Sequence, residues 1–529
     1  MKKIQVWLPL LFAAVMIVGM RIGYKLRSNI PFSQDFFHTS KGSSLQEVME
    51  LVKRNYVDPV NTDTLTEDAV QAMLLHLDPH SVFIPAQHLR EVNEDLQGNF
   101  QGIGVEFQII KDTVHVVSVL KDGPSEEAGL HVGDRFLQVG DSVVTGNNIN
   151  SDRIKNLLRG PGGSRVPVKI IRASTIIPVT ITRGTIPIYS VDAAYMMDAS
   201  TGYIHLNKFT GTSYEEFMSA IEKLKKKGLK KLIFDLRDNG GGILGEAIDI
   251  ADEFLDEQKL ILYTNGIKQK KTEFRCKRPG QYEKGSLVIL VDEGSASASE
   301  VVAGACQDWD RAVIVGRRTF GKGLVQEQFD LSNGAALRLT VARYYTPVGR
   351  SIQKPYTKGR DAYNEEVSQR FQNGEVLQPD SVILDKGPAY KTKKGKVVYG
   401  GGGITPDIFV AFDTSGIAKE ISVLFYNQSF GKFIYTYYIN NKNYFDQYKD
   451  AADFIARFTD TKTAWISLLE YAGLEGVNLY SVSEHDQWEV EKRIKTWMAR
   501  QIWKMDGYYQ VNNLYDPVVQ RGYQEIRNN

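Results

Sequence analysis

Two apolar runs, Lys231 to Leu236 and Leu287 to Val291, each end in a tight turn of small residues and give way to an apolar-periodic helix pattern. That alternation constrains the chain to an α/β arrangement more than any other feature it has. Ile204 to Phe209 reads as another strand, Tyr214 to Lys227 and Gly245 to Leu255 as helices, and the pattern holds from Gly202 to about Phe412. The chain is long enough for two or three domains, each with its own core: 529 residues, 42% hydrophobic and 24% charged. Lys+Arg 64 against Asp+Glu 63 leaves a net charge of +1, so no global field draws in nucleic acid. Basic runs such as Lys225-Lys226-Lys227 read as solvated helix faces.

The flanks read differently. Lys2 and Lys3 precede an apolar run from Ile4 to Met20 with no small-x-small cleavage site after it, the pattern of an uncleaved signal anchor. Arg21, Lys25 and Arg27 balance the charges before the run, so charge counting leaves its orientation open. Leu45 to Leu77 is helical, broken at Asp58-Pro59, and Gly98 to about Arg183 is strand-rich. Beyond Asp413 aromatics and amphipathic helices dominate. The clearest helix spans Gln487 to Met505, with Val490, Ile494, Trp497, Met498 and Ile502 on one face and Gly507 as its expected stop. The expected division is an anchor over 1–27, a helical segment over 28–97, a β-rich module over 98–185, an α/β core over 186–412 and a mainly helical extension over 413–529.

The strand ending at Val291 runs through Asp292-Glu293-Gly294 into Ser295-Ala296-Ser297-Ala298-Ser299-Glu300 and a helix. A serine at such a helix start meets outward-facing N–H groups and a favourable dipole, as acyl transfer requires. Ser297-x-x-Glu300 also fits a capping box that does nothing but start a helix. No histidine lies between His205 and His485, so a Ser-His-Asp triad within the α/β block has no ready base. Lysine substitutes when burial frees its amine of a proton. Lys322, in Thr319-Phe320-Gly321-Lys322-Gly323, is the candidate; the alternative is a solvated surface lysine. Gln326, four residues on, can orient its amine. Asp235-Leu236-Arg237-Asp238-Asn239-Gly240-Gly241-Gly242 is a glycine turn able to expose N–H groups, without the endings of a P-loop or a dinucleotide site. Cys276 and Cys306 have no metal-ligand spacing.

Taken in order, these motifs resemble those of the C-terminal processing peptidases, or tail-specific proteases. Leu77-Asp78-Pro79-His80-Ser81, Tyr344-Tyr345-Thr346-Pro347, Gly349-Arg350-Ser351-Ile352-Gln353 and Gly403-Ile404-x-Pro406-Asp407 extend the match over roughly Leu45 to Phe412. The resemblance implies a crotonase-like α/β serine peptidase with Ser297 as nucleophile, Lys322 as general base and Gln326 holding it. Ser295 and Ser299 would be structural, and the oxyanion hole would come from Ala298 with Gly241 or Gly242. The chain departs from the family at Gly240, where proline is common, and at Leu324, where serine or alanine is. No metal or organic cofactor is implied.

Gly102-Ile103-Gly104-Val105, followed by Gly123-Pro124 and Ala128-Gly129-Leu130-x-x-Gly133-Asp134, reads as a PDZ domain whose loop offers N–H groups to a terminal carboxylate. The family resemblance then implies protein substrates with apolar C-termini and a bacterial periplasmic face behind an inner-membrane anchor. The 413–529 extension is left with three roles: a cap on the core, a self-association surface, or a dock for an adaptor lipoprotein. Two rival functions are a noncatalytic PDZ scaffold, which would have no reason to keep Ser297, Lys322 and Gln326 together, and a crotonase-like acyl-CoA enzyme, for which no CoA-phosphate site is apparent.

Overall fold

The computed structural model describes residues 12–21, 44–147, 149–256, 258–378 and 387–528. It divides into two units, Met1–Met73 and Leu74–Asn529. In the first, residues 12–21 are helical and exposed, and a helix Ser44–Asn55 buries none of its residues. Of the expected anchor over 1–27, residues 1–11 and 22–27 lie outside the described residues. Among the described residues no helix is long and apolar enough to cross a membrane.

The second unit is built on a six-stranded sheet. Its elements are β1 (Val191–Met196), β2 (Thr201–Leu206), α1 (Ser213–Lys226), β3 (Lys231–Asp235), α2 (Leu244–Asp252), β4 (Ser286–Val291), α3 (Ala298–Asp308), β5 (Val313–Gly316) and β6 (Ile408–Phe409). The strands lie in sequence order; β1 is antiparallel to β2 and every later pairing is parallel. Parallel neighbours need crossover helices, and a sheet covered on both faces needs strands that are apolar at every position. β3 and β4 meet that need. Leu232, Phe234, Leu287, Ile289 and Val291 face α1, α2 and α3, while Ile233, Val288 and Leu290 face the opposite layer.

That opposite layer comes from the end of the chain, where the helix Pro517–Asn528 lays Val518, Val519 and Ile526 on the sheet. Lys231 Nζ donates to the Ile526 carbonyl at 2.7 Å, and Arg237 pairs with Asp516 at 2.8 Å. The remaining C-terminal helices close around their own core, with Phe430, Phe454, Leu468, Val490, Ile494 and Met498 inside. The long helix Glu484–Asn512 does not stop at Gly507. It breaks at Trp503 and Lys504 and then resumes to Asn512. Gly507 serves close packing instead, because a Cβ there would meet the Ala499 carbonyl at 2.6 Å.

A second, antiparallel sheet carries the segment that follows the glycine-lysine loop. Leu324–Asp330 and Val82–Ile84 both pair with Ala336–Tyr345, which also pairs with Leu260–Asn265. The β-rich module sits between Asn99–Gly102 and Gly184–Pro187, which pair with each other and so close its entry and exit. Its sheet alternates as a one-sided strand should: Val166, Val168 and Ile170 are buried, and Arg165, Pro167 and Lys169 are exposed.

Candidate active site

β4 ends at Val291, and the chain turns through Asp292 to Ser297 before α3 begins. Ser297 has φ 55 and ψ −111, left-handed backbone that a side chain adopts only under constraint. The constraint is visible in the hydrogen bonds around it. Ser295 Oγ donates to the Leu236 carbonyl at 2.7 Å and Ser299 Oγ to the Asn239 carbonyl at 2.8 Å, while Ala296 N–H donates to Asn239 O at 3.0 Å. Both flanking serines are fully buried, so their hydroxyls lock the turn after β4 to the turn after β3. Ser297, between them, is only half-buried.

The glycine turn lies directly against the serine. A Cβ on Gly241 would fall 2.7 Å from Ala296 O, 2.8 Å from Ser297 Cβ and 2.9 Å from Ala298 N, and its φ of 94 already favours glycine. Gly241 N–H donates to the Asn239 side-chain oxygen at 2.9 Å. The Gly242 and Ala298 N–H groups have no acceptor among the described residues. Two backbone donors beside the serine are therefore uncommitted, and one of the two candidate glycines is already engaged.

Lys322 is brought to the serine by a buried carboxylate. Glu300 Oε2 accepts from Ser297 N–H at 2.9 Å and from Lys322 N–H at 2.8 Å; Oε1 accepts from Gly321 N–H at 2.8 Å and the Thr319 hydroxyl at 2.5 Å. Burial pushes the Glu300 carboxyl above its usual range, and these four donors oppose the rise. The Tyr344 hydroxyl adds a second tie, donating to the Lys322 carbonyl at 2.7 Å and the Ser297 carbonyl at 3.0 Å. Gly321 and Gly323 allow the loop to pack against backbone: a Cβ would lie 3.1 Å from Gly403 N and 3.0 Å from Gln353 N respectively.

The Lys322 amine donates to Gln326 Oε1 at 3.0 Å, and Gln326 Nε2 donates to the His80 carbonyl at 2.5 Å. Burial, with Arg338 nearby, lowers the Lys322 pKa from the ordinary lysine value. Lys322 has no carboxylate ion-pair partner among the described residues. A second buried lysine, Lys354, does: it pairs with Glu366 at 3.0 Å and stands over the Phe320 and Tyr363 rings. The contrast marks Lys322 as the amine held by a neutral acceptor. No hydrogen bond joins its Nζ to the Ser297 hydroxyl among the described residues.

Glu300, Tyr344 and His80 were not singled out from sequence as parts of the site. Glu300 had a signal in the capping-box spacing, and its carboxylate does cap Ser297 N–H. His80 lay in a motif without a role. Burial, reinforced by Lys322, lowers its pKa to about 4, and its Nε2 meets the Tyr363 hydroxyl at 2.8 Å. Asp78 fixes that corner by accepting from His80 N–H, Ser81 N–H, Ser81 Oγ and Thr340 Oγ1.

The β-rich module carries a separate candidate site. Its edge strand Val105–Ile110 pairs on one side only, with Thr113–Val119. Ahead of it, Ile103 N–H and Gly104 N–H have no acceptor among the described residues. Gly104 needs its φ of 73, and a Cβ there would press on Ile186 at 3.1 Å. Among the described residues no cluster of His, Cys, Asp and Glu is arranged to hold a metal ion.

The family model for Peptidase family S41 matches residues 200–359, that for a PDZ domain 115–172, and that for a family of unknown function (DUF8443) 421–504. The chain is 35% identical over 314 residues to a carboxy-terminal-processing protease of Bartonella bacilliformis, covering 58% of this chain and 71% of that protein. It is 33% identical over 320 residues to the carboxy-terminal processing protease CtpA of Bacillus subtilis, covering 60% of this chain and 67% of that one. A solved photosystem II D1 C-terminal processing protease is similar at 25% identity and TM-score 0.36, over 71% of this chain and 94% of that chain.

Proposed function

Because the chain belongs to the carboxy-terminal processing proteases of peptidase family S41, we propose that it is a serine endopeptidase that cuts proteins near their C-termini with Ser297 as nucleophile and Lys322 as general base. The observation that carries this reading is the Glu300 carboxylate, which holds the backbones of Ser297 and Lys322 together while leaving the hydroxyl and the amine unpaired with any acid. An amine whose charged form is disfavoured by burial accepts the serine proton as the hydroxyl attacks the scissile carbonyl. The developing oxyanion is taken by Ala298 N–H and Gly242 N–H. Gly241 supports this by lacking a Cβ where the reacting carbon must approach. Lys322 then passes its proton to the leaving amine, and water releases the acyl group by the reverse steps. Gln326 is a positioning residue that holds the amine until substrate draws it to the serine.

In this reading the PDZ domain receives the substrate tail as an added strand on Val105–Ile110, its terminal carboxylate on Ile103 and Gly104 N–H and its last side chain on an apolar floor. The basic, then apolar N-terminal run supports an inner-membrane anchor, and the likeness to bacterial carboxy-terminal processing proteases supports placing the enzyme on the periplasmic face. The test is cleavage of an unstructured protein with an apolar C-terminus by the parent chain, Ser297→Ala and Lys322→Ala. Both variants are expected to fold and to lose cleavage by about 10³-fold or more. Undiminished cleavage by either one would remove that residue from the mechanism.

A further inference from the structure

The peptide groove of the PDZ domain has a wall that the domain does not itself supply. Between the edge strand Val105–Ile110 and the helix Ser151–Leu158 lies a cavity of about 500 Å³, and its far side is closed by Arg500, Gln501, Lys504 and Met505 of the C-terminal extension. This contact is built in. Thr113–Val119 bulges between the pairs Glu106↔Ser118 and Phe107↔Val116, and the spare Val117 carbonyl accepts from Gln501 Nε2 at 2.9 Å. Three residues on, Lys504 sits at φ 60 and ψ −149 inside an otherwise helical segment. Such a conformation is strained for a non-glycine residue and persists where its surroundings impose it.

The charge around the cavity is one-sided. Lys155, Arg159, Arg500 and Lys504 line it against a single carboxylate, Glu106. Arg159 and Lys155 have acidic neighbours of their own, Glu91 at 3.4 Å and Asp152 at 3.6 Å. Arg500 and Lys504 form no ion pair among the described residues. The Gln108 side-chain oxygen, also on the cavity wall, is buried without a donor. Burial and Arg500 disfavour the Lys504 charge and Glu106 favours it, while Arg500 lies over the Trp497 ring. A terminal carboxylate on Ile103 and Gly104 therefore leaves both extension cations without a carboxylate in contact, and an acidic side chain beside Lys504 would hold its charge.

We propose that the C-terminal extension sets substrate specificity by completing the PDZ groove: Arg500 and Lys504 select polypeptide tails that carry an acidic side chain just before an apolar final residue. The proposal rests on the reading of the groove as the tail-binding site and names what it selects.

The test is fluorescence anisotropy on the full chain carrying Ser297→Ala, with labelled peptides that end in two glutamates and an apolar residue, in two glutamines and the same residue, or in the acidic sequence amidated. The parent is expected to bind the acidic peptide about tenfold more tightly than the neutral one, as one desolvated charge pair implies. Lys504→Gly keeps the backbone conformation and removes the cation; it should lower the ratio of acidic-peptide to neutral-peptide affinity to about threefold or less. Lys504→Arg should restore it, and Arg500→Gln, which leaves the break in the helix alone, should weaken it independently. Equal binding of acidic and neutral peptides by the parent, or equal loss of both in Lys504→Gly and Arg500→Gln, would overturn the proposal. If amidation changes nothing or no peptide binds the parent, the groove reading beneath it falls first.

Discussion

Glu300 is buried and faces only donors, so its negative charge is what those donors require. Glu300→Gln replaces one accepting oxygen with an amide that confronts two of them. The expected cost is about 3 kcal/mol in denaturant unfolding, together with loss of cleavage; parent-like stability would contradict the role. Gly241→Ala should push the Ala296–Ala298 backbone aside, moving the Ala298 N–H, and lower kcat by about 10²-fold or more on a small ester that bypasses the PDZ domain; parent-like kcat would contradict the placement. Ser297, Lys322, Gln326 and the glycine turn were legible in the sequence as candidates because each sits in a local motif, and the fold brings them to one place. Glu300 was legible only by half. Its spacing announced the cap on Ser297, but its bonds to Thr319, Gly321 and Lys322 cross about twenty residues of chain and have no local pattern. The same holds for Gln326 and the His80 carbonyl, which only the pairing of Val82–Ile84 and Leu324–Asp330 on a shared strand brings together. Sequence left the choice between Gly241 and Gly242 open; the Asn239 side chain engages the Gly241 N–H, and that is the reason Gly242 is the one proposed.

At the scale of elements, the buried strands, crossover helices and glycine turns of the core were legible from periodicity and turn chemistry, with boundaries moved by one to three residues: the strand read as Ile204 to Phe209 is Thr201–Leu206, and the helix read as Gly245 to Leu255 is Leu244–Asp252. The helix face from Val490 to Met498 was also legible, as a packing stripe. Its expected stop at Gly507 was not what the chain does: the helix breaks at Trp503 and Lys504 and resumes against β1, where Asp506 accepts from Ala194 N–H, and Gly507 packs on the Ala499 carbonyl. Uninterrupted apolar strands state that the sheet is covered on both faces but not by which segment. That segment is Pro517–Asn528, and it makes a prediction. Ile526→Ala, opening a hole against the sheet, should cost about 2 kcal/mol in thermal or denaturant unfolding, the lower end for a buried aliphatic truncation. An unchanged midpoint would mean that this helix is an ornament on the core.

Across the whole molecule, the extension touches both functional parts. Gln501 binds the PDZ sheet, Asp506 accepts from Ala194 N–H on β1 at 3.1 Å, and Asp516 pairs with Arg237, which opens the glycine turn beside Ser297. One segment thus touches both the PDZ groove and the turn beside Ser297, and of the roles open to it in sequence the cap on the core is the one seen in its packing. The proposed catalysis requires Lys322 to work as a neutral base. The most direct measurement is the pH dependence of kcat/KM for a small ester, in the parent and in Lys322→Ala. Burial and Arg338 disfavour the charged amine, so the proton leaves at lower pH than from an ordinary lysine at 10.5. Activity should therefore climb with pH as a single ionisation with its midpoint below that value, and the climb should vanish in Lys322→Ala. A profile that is flat from about pH 6 to 9, or a climb that survives the loss of Lys322, would contradict it.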